Sequence, residues 1–538
     1  MDKIAQDRLT LHSQMKGGRS TWEVHWQEVC EIMDPLQADF YGEKPEPGQK
    51  RMSKIFDATC ALALERFAAI MQSILTPPGQ VWHKLKPKGG EVEAGSPVAR
   101  WFDAVNDKLY DLRYSPKANF DSQQHQNYRG LGSVGTAALY IDSAPGIPLR
   151  YRSVHMSEIY LGATSAGQVD IVHREFGIPA RNVLQDYSRP DDYVCEAVKR
   201  MAQNTPLADV PLLHCVFPNP DAKPGSMNPK MLPWASLTIC MLDGSIIRRG
   251  GYRTFPYAIS RYTLATKEIY GRSPGMMALP DGKMLQEMAK HRYRQAQFEL
   301  DPTWLTSDDG ALAAFRAVPG AIISGGLDES LNPRVRPLDR GSNFAVDAAV
   351  TDQVRSVVND FFLVTLFQIL VDNPGQMTAY EVMQRAQEKG ALMAPVMGRQ
   401  QSENLGPTLE REFELAWFGG HLPPMPPEME QVGGEYDIEY QSPLATAARA
   451  EKSLSIQRTV AQVTPLAQLK PEVLDIFDFD DMAKTIAQSN SLDNTSINSA
   501  EIVEALREQR AQQQALMAAA QNAPGVAGAV KDIASVAA

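Results

Sequence analysis

The chain has 538 residues, 43% hydrophobic and 22% charged, with a formal net charge of −11. That length implies more than one domain, and the apolar share suffices for substantial cores. The acidic balance excludes a tight, sequence-independent grip on DNA, because such affinity comes from Lys and Arg neutralising phosphates; local basic faces can still touch it.

The first 140 residues read as helical. Ser20-Thr21-Trp22-Glu23 has the form of a capping box, and Trp22, Trp26, Val29 and Met33 follow on one stripe. Asp57 is placed to cap a helix with the stripe Cys60, Leu64, Phe67, Met71, Ile74, which Pro77-Pro78 ends. Ser96-Pro97 starts a third helix, with Ser as N-cap and Pro at the first helical position. From 138 to 270 the period changes: 138–142, 149–154, 158–162 and 169–176 are short β-rich runs divided by Gly, Ser and Pro. The clearest hairpin joins Leu237–Leu242 to Ser245–Arg248 through Asp243-Gly244, a pair suited to the positive φ of a two-residue turn. Strands segregated from helices define an α+β class.

From 281 to 418 the pattern is helix, irregular insert, helix, Pro-Gly loop and a second helical stretch. On the first helix Lys283, Lys290 and Arg294 fall at i, i+7 and i+11 and share one face. The opposite face offers Leu285, Met288, Ala289 and Ala296, interrupted by Arg292. The insert 301–340 is rich in Gly, Pro and Arg, and a connection that long is usually functional. Val350, Val354, Val357, Phe361 and Val364 form the next stripe, continued by Val371. After Asp372-Asn373-Pro374-Gly375-Gln376, Thr378 and Glu381 form a second capping box. A Pro-rich boundary lies at 421–435, and the chain ends in an Ala/Gln-rich helix begun by Asn498 and Glu501, with a frayed tail from Gly525.

Several motifs invite a chemical reading. Gly271-Arg272-Ser273-Pro274-Gly275 matches G-x-S-x-G, which would make Ser273 a hydrolase nucleophile. The oxyanion hole needs an N–H on the residue after Ser, and Pro274 has none, so a helix-starting turn is the expectation. Gly275 to Met284 ends Gly282-Lys283, but Met284 stands where a phosphate loop needs Ser or Thr for magnesium. Nine histidines include no H-E-x-x-H, and His25 reads as a helix-surface residue. Asp475, Asp478, Asp480 and Asp481 lack the spacing of a calcium loop, and their aromatic neighbours suggest a turn. Cys30, Cys60, Cys195, Cys215 and Cys240 contain no C-x-x-C, which argues against zinc at that spacing and fits reduced, buried thiols. No cofactor and no metal are expected. Met1–Asp7 lacks the apolar core of a signal peptide, and Phe361–Val371 is too short to span a bilayer, so a soluble protein without a membrane partner is expected.

Four motifs in order carry a resemblance: Asp57-Ala58-Thr59 leading to Leu75-Thr76-Pro77-Pro78-Gly79-Gln80-Val81-Trp82; Tyr270-Gly271-Arg272-Ser273-Pro274-Gly275; Asn373-Pro374-Gly375 before Met377-Thr378-Ala379-Tyr380-Glu381-Val382; and Tyr440-Gln441-Ser442-Pro443-Leu444-Ala445. Over most of its length the chain resembles the head-to-tail connector, or portal, family of short-tailed phages. The resemblance implies a non-enzymatic ring, usually a dodecamer, at one capsid vertex of the virion, assembled in the host cytoplasm. Double-stranded DNA passes through its channel during packaging and ejection. It implies as partners the terminase large subunit, the major capsid and scaffolding proteins, and a tail adaptor or head-completion protein. It implies a wing at 1–280, stem helices at 281–300 and 341–371, a clip at 301–340 and a tunnel loop at 372–377. Crown helices at 378–445 and a C-terminal helical region or barrel at 446–538 complete the set. Lys283, Lys290 and Arg294 then face DNA, Arg334, Arg336 and Arg340 lie in the clip, and Asp372–Gln376 form the tunnel loop. Gly390, Pro395 and Pro407 are expected to break the crown-like helix. The rival readings are a capsid-joining scaffold protein that passes no DNA, and a hydrolase using Ser273.

Overall fold

A computed structural model gives the fold and describes residues 2–42, 46, 48–88, 95–300, 304–306, 332–333, 335–337, 344–365, 393–431, 435–441, 453–465, 470–489, 496–498, 501–515 and 517. The class is α+β, as the segregated strands and helices require. The helices used below are α1 (Lys3–Met33), α2 (Thr59–Leu75), α3 (Pro97–Arg113), α4 (Phe120–Ser133), α5 (Ala180–Asp186), α6 (Glu196–Asn204), α7 (Pro274–Met277), α8 (Leu279–Leu300), α9 (Phe344–Phe361) and α10 (Gly406–Phe418). The strands are β1 (His83–Pro87), β2 (Thr136–Ala144), β3 (Ile147–Val154), β4 (Ile159–Ala163), β5 (Val169–Pro179), β6 (Asp209–Pro218), β7 (Trp234–Cys240), β8 (Ile246–Tyr252), β9 (Tyr257–Arg261), β10 (Trp304–Thr306), β11 (Val335–Pro337) and β12 (Tyr436–Tyr440).

Helix starts with strong local chemistry match the sequence. Ser96 Oγ accepts from the Ala99 amide at 3.2 Å, and Pro97 opens α3, because the missing proline N–H costs nothing in a first turn. Asp57 Oδ1 accepts from the Thr59 amide at 2.8 Å, and Cys60, Leu64, Phe67 and Met71 of α2 are buried.

Helix α1 departs from expectation. It starts at Lys3, with Asp2 as N-cap, and runs through Gly17-Gly18 and Ser20 without a break. Ser20 Oγ donates backward to Gly17 O at 3.1 Å instead of capping a new helix. The reason is tertiary: Arg19, buried on α1, donates to Met156 O at 2.9 Å and Ser157 O at 2.8 Å, pairs with Glu23, and lies 3.6 Å over the Tyr160 ring. Those contacts hold the helix across two poor helix formers.

Strands β4 to β8 form a five-stranded antiparallel meander. Strand alternation sorts β6: Leu213, Cys215 and Phe217 pack towards Ala5 of α1, whereas Val210 and Leu212 pack with Val183 and Val198 of α5 and α6. The β7–β8 hairpin exists, but its turn is longer than two residues. Ile239 pairs with Ile246, Cys240 N donates to Ser245 O at 2.9 Å, and Met241–Gly244 bulge between them with Gly244 at φ +70°. A smaller sheet, ordered β3-β2-β9, lies under α4 and α10 within the main core. Gly135, at φ +79° before β2, touches the backbone of Gly271–Ser273, where any Cβ would come within 2.5 Å of Gly271 O.

The expected α9 stripe holds at Val354 and Val364, which are buried, and shifts at its other valines. Val354 and Val358 are buried, with Phe362 following, whereas Val350 and Val357 remain 41% and 38% exposed. Leu363, at φ +60°, interrupts the run towards Val371. In a valine-rich helix, three- and four-residue steps define competing stripes, and the partner surface chooses between them. The crown-like helix is also more continuous than its prolines suggest. Residues 393–400 are helical through Pro395, Gln401–Leu405 form a π-helical turn, and α10 follows with Pro407 in its first turn. The wider turn accommodates a ring that would clash with the carbonyl four residues back and an amide that lacks its hydrogen. Gly390 lies outside the described residues.

Candidate functional site

Three of the four motifs quoted above turn out to be junctions between distant parts of the chain. Gln441 N donates to Trp82 O at 2.7 Å, and the preceding β12 pairs antiparallel with β1, so the second half of the first motif meets the fourth. Tyr270 packs against Trp22 and Trp26 at ring distances of 5.8 and 5.1 Å, and its hydroxyl accepts from the Leu161 amide at 3.2 Å. The Asp57-Ala58-Thr59 segment forms the root of α8 and α9. The third motif lies outside the described residues.

That root is built from polar groups of different elements. Gln286 of α8 is buried; its Oε1 accepts from the Phe56 and Asp57 amides at 2.7 and 3.0 Å, and its Nε2 donates to Asp57 O at 2.7 Å. Arg355 of α9 donates to Asp57 Oδ2 through Nη2 at 2.8 Å and Nε at 3.2 Å. Burial alone pushes the Asp57 carboxyl up, but hydrogen bonds from Thr59 and Arg355 outweigh it and hold the group below the ordinary carboxylate value. Gly282 of α8 lies close against Cys60, Ile32 and Met33, where an added Cβ would meet atoms at 3.1–3.2 Å. One carboxylate thus accepts from the first amide of α2 and ties α9, while its backbone ties α8.

The Lys283-Lys290-Arg294 stripe points away from α9, because Arg292, on the opposite side of α8, donates to Thr351 Oγ1 of α9 at 2.8 Å. Lys283, 48% exposed, pairs with Glu28 of α1; Lys290 pairs with Glu287 one turn back at 3.3 Å. Arg294 is exposed. Such ion pairs in water are weak and exchange freely, so the lysines can leave them for another anion.

The other candidates are placed as follows. Ser273 is fully buried, donates to Ser133 O at 2.6 Å and accepts from the Met276 amide at 2.8 Å as N-cap of α7. Both hydroxyl roles are thereby used, as the expected helix-starting turn requires. Residues 274–277 and 279–300 are helical, which removes the phosphate-loop geometry. Asp478 Oδ1 accepts from the Asp481 amide at 3.0 Å, and Asp480 pairs with Arg507 at 2.7 Å, so that cluster caps a helix and joins another. All five cysteines are free and buried. Arg336 sits on β11 opposite Leu305 of β10. Arg334, Arg340, the loop Asp372–Gln376 and the Thr378/Glu381 box lie outside the described residues. Among the described residues no helix is long and apolar enough to cross a membrane.

Sequence reasoning missed the Asp57–Arg355 tie and a buried network in which Arg113 of α3 meets Glu412 of α10. Their partners lie some 300 residues apart, and no local pattern announces such pairs.

The α+β body thus carries two long helices rooted at one polar node, and the Ser273 hydroxyl is engaged at a buried helix start. The family model for the bacteriophage head to tail connecting protein matches residues 5–497, and the chain belongs to that family. It is 29% identical over 518 residues to the probable portal protein of Bordetella phage BPP-1, covering 94% of this chain and 91% of that one. It is 28% identical over 541 residues to the portal protein of Salmonella phage epsilon15, covering 98% and 95%.

Proposed function

We propose that this chain is the repeating subunit of a phage portal: a capsid-vertex ring that lets double-stranded DNA in during packaging and out during ejection, and on which the tail is built. The observation carrying this reading is likeness to two portal proteins over more than nine-tenths of every chain compared. In that reading residues 1–280 are the wing, α8 and α9 the stem, 301–340 the clip and 372–377 the tunnel loop. A ring of one polypeptide needs heterologous contacts, in which one patch meets a different patch on the neighbour. Val350 and Val357, exposed on α9, supply apolar surface for such a contact. Twelve copies would carry about −130 charges, a field that repels phosphate on average, so the conduit does not seize its cargo. Rings of Lys283, Lys290 and Arg294 then centre the duplex by weak contacts, while a terminase motor drives it and the clip, with Arg334, Arg336 and Arg340, meets motor and adaptor in turn.

Negative-stain images of the purified protein should contain rings with an axial hole; a persistent monomer opposes the reading. Lys283→Glu combined with Lys290→Glu should leave ring assembly intact and lower genome packaging. Unchanged packaging would reduce the two lysines to ordinary solvated surface.

A further inference from the structure

A cluster with two thiols lies at the β7–β8 turn of the five-stranded sheet and shares no residue with the α8–α9 root. Cys195 precedes α6 as its N-cap, Cys240 ends β7, and Asp243 belongs to the β7–β8 turn. Their Sγ atoms and a carboxylate oxygen all lie within 4.8 Å of one another. We propose that Cys195, Cys240 and Asp243 bind one thiophilic divalent cation of the zinc class, with the fourth position open to solvent.

The frame is already built. Asp243 Oδ1 accepts from Ser245 N at 3.1 Å and Ser245 Oγ at 2.8 Å, which fixes its carboxylate. Cys240 N donates to Ser245 O at 2.9 Å, Gly244 N donates to Cys240 O at 2.8 Å, and the Tyr193 amide donates to Ile247 O at 2.8 Å. The last bond holds the segment before Cys195 against β8. Both cysteines are buried in the small core under α5 and α6, whereas Asp243 is exposed, so two ligands are dry and the third faces water. Tetrahedral zinc, with bonds of about 2.3 Å to sulfur and about 2.0–2.2 Å to oxygen, separates its ligand atoms by about 3.5–3.8 Å. The cluster reaches that with side-chain shifts of about 1 Å. Two thiolates select zinc, cobalt or cadmium over magnesium and calcium, which prefer oxygen. On binding, two S–H bonds break, two metal–sulfur bonds form, and two protons pass to solvent with no change in oxidation state. Once bound, the ion staples the start of α6 to the β7–β8 turn.

The test uses Co²⁺ as probe on the full-length protein, purified anaerobically with a chelator that is then removed. One equivalent per chain should bind, with a thiolate-to-cobalt charge-transfer band and the release of two protons. Cys195→Ser and Cys240→Ser should each abolish the band, Ser245→Ala should weaken binding by about tenfold or more, and Cys30→Ser should leave it intact. Circular dichroism checks that each variant folds, and Asp243→Asn, at an exposed position, gives a weakened site should a cysteine variant fail. Absence of the band, its survival in Cys240→Ser, undiminished binding in Asp243→Asn, or a Cys195–Cys240 disulfide in anaerobically purified protein would overturn the proposal.

Discussion

The α3–α10 clamp and the α8–α9 root are both ionic junctions, and water separates them. In the clamp, Arg113 and Glu412 are fully buried, joined by Nε bonds of 3.0 and 3.1 Å and a closer Nη2 contact. Tyr151 donates to the same carboxylate at 2.7 Å, Arg113 donates to His83 at 2.7 Å, and its guanidinium sits 4.7 Å from the Trp82 ring centre. Burial and the adjacent Arg113 charge hold His83 well below its ordinary value, so it remains a neutral acceptor. At the root the Asp57 carboxylate is buried, but Arg355 is half in solvent. Desolvation makes the first junction all-or-none: each charge depends on the other. The second consists of separate ties, Arg355 to the carboxylate and Gln286 to the backbone.

The largest expected effect tests the clamp. Glu412→Gln strands the buried Arg113 charge and should destabilise the chain by about 3–5 kcal/mol, read as a lowered denaturation midpoint. Replacing both partners, Arg113→Met with Glu412→Leu, should recover part of that loss, because no unpaired charge remains, while the buried Tyr151 hydroxyl and His83 ring each lose a partner. A single-variant loss below about 1 kcal/mol would erase the contrast.

A smaller effect is expected at the root. Asp57→Ala removes the acceptor of the first α2 amide and a half-exposed pair and should cost about 1–2 kcal/mol. The folded carboxyl lies below its ordinary value of 3.8. Its contribution is therefore present above that value and declines as the pH falls through the folded one. The stability gap between the parent chain and Asp57→Ala should stay level at neutral pH and narrow below pH 3.8. A gap that widens in acid would give the carboxylate the wrong role.

How much of this was legible in the sequence depended on range. The start of α3 was readable because Ser96 and Pro97 act within one turn. The G-x-S-x-G match at Ser273 was correctly set aside, because proline's missing N–H is a property of one residue. The start of α1 was misread because its stability comes from Arg19 reaching the 156–159 segment, which no local signal encodes. The same holds for α9, whose buried line Val354-Val358-Phe362 was selected by α2 and α8 rather than by its own valines. The basic stripe on α8 was found by helical spacing; that Lys283 already pairs with Glu28 of α1 was not, since the two lie 255 positions apart.

That last pair gives the smallest stability effect and the sharpest division between holding the fold and serving the channel. Lys283 and Glu28 are both about half exposed, so breaking their contact should change stability by less than about 1 kcal/mol. Lys283→Glu sets two carboxylates together; adding Glu28→Lys restores the pair with its charges exchanged. A stability role needs only opposite signs, so the exchanged pair should fold and assemble as the parent does. A channel role needs the positive charge on α8, so the exchange should leave packaging as impaired as in Lys283→Glu alone. Packaging restored by the exchange would make Lys283 a strut between α1 and α8, and would move the search for DNA contacts along the stripe to Lys290 and Arg294.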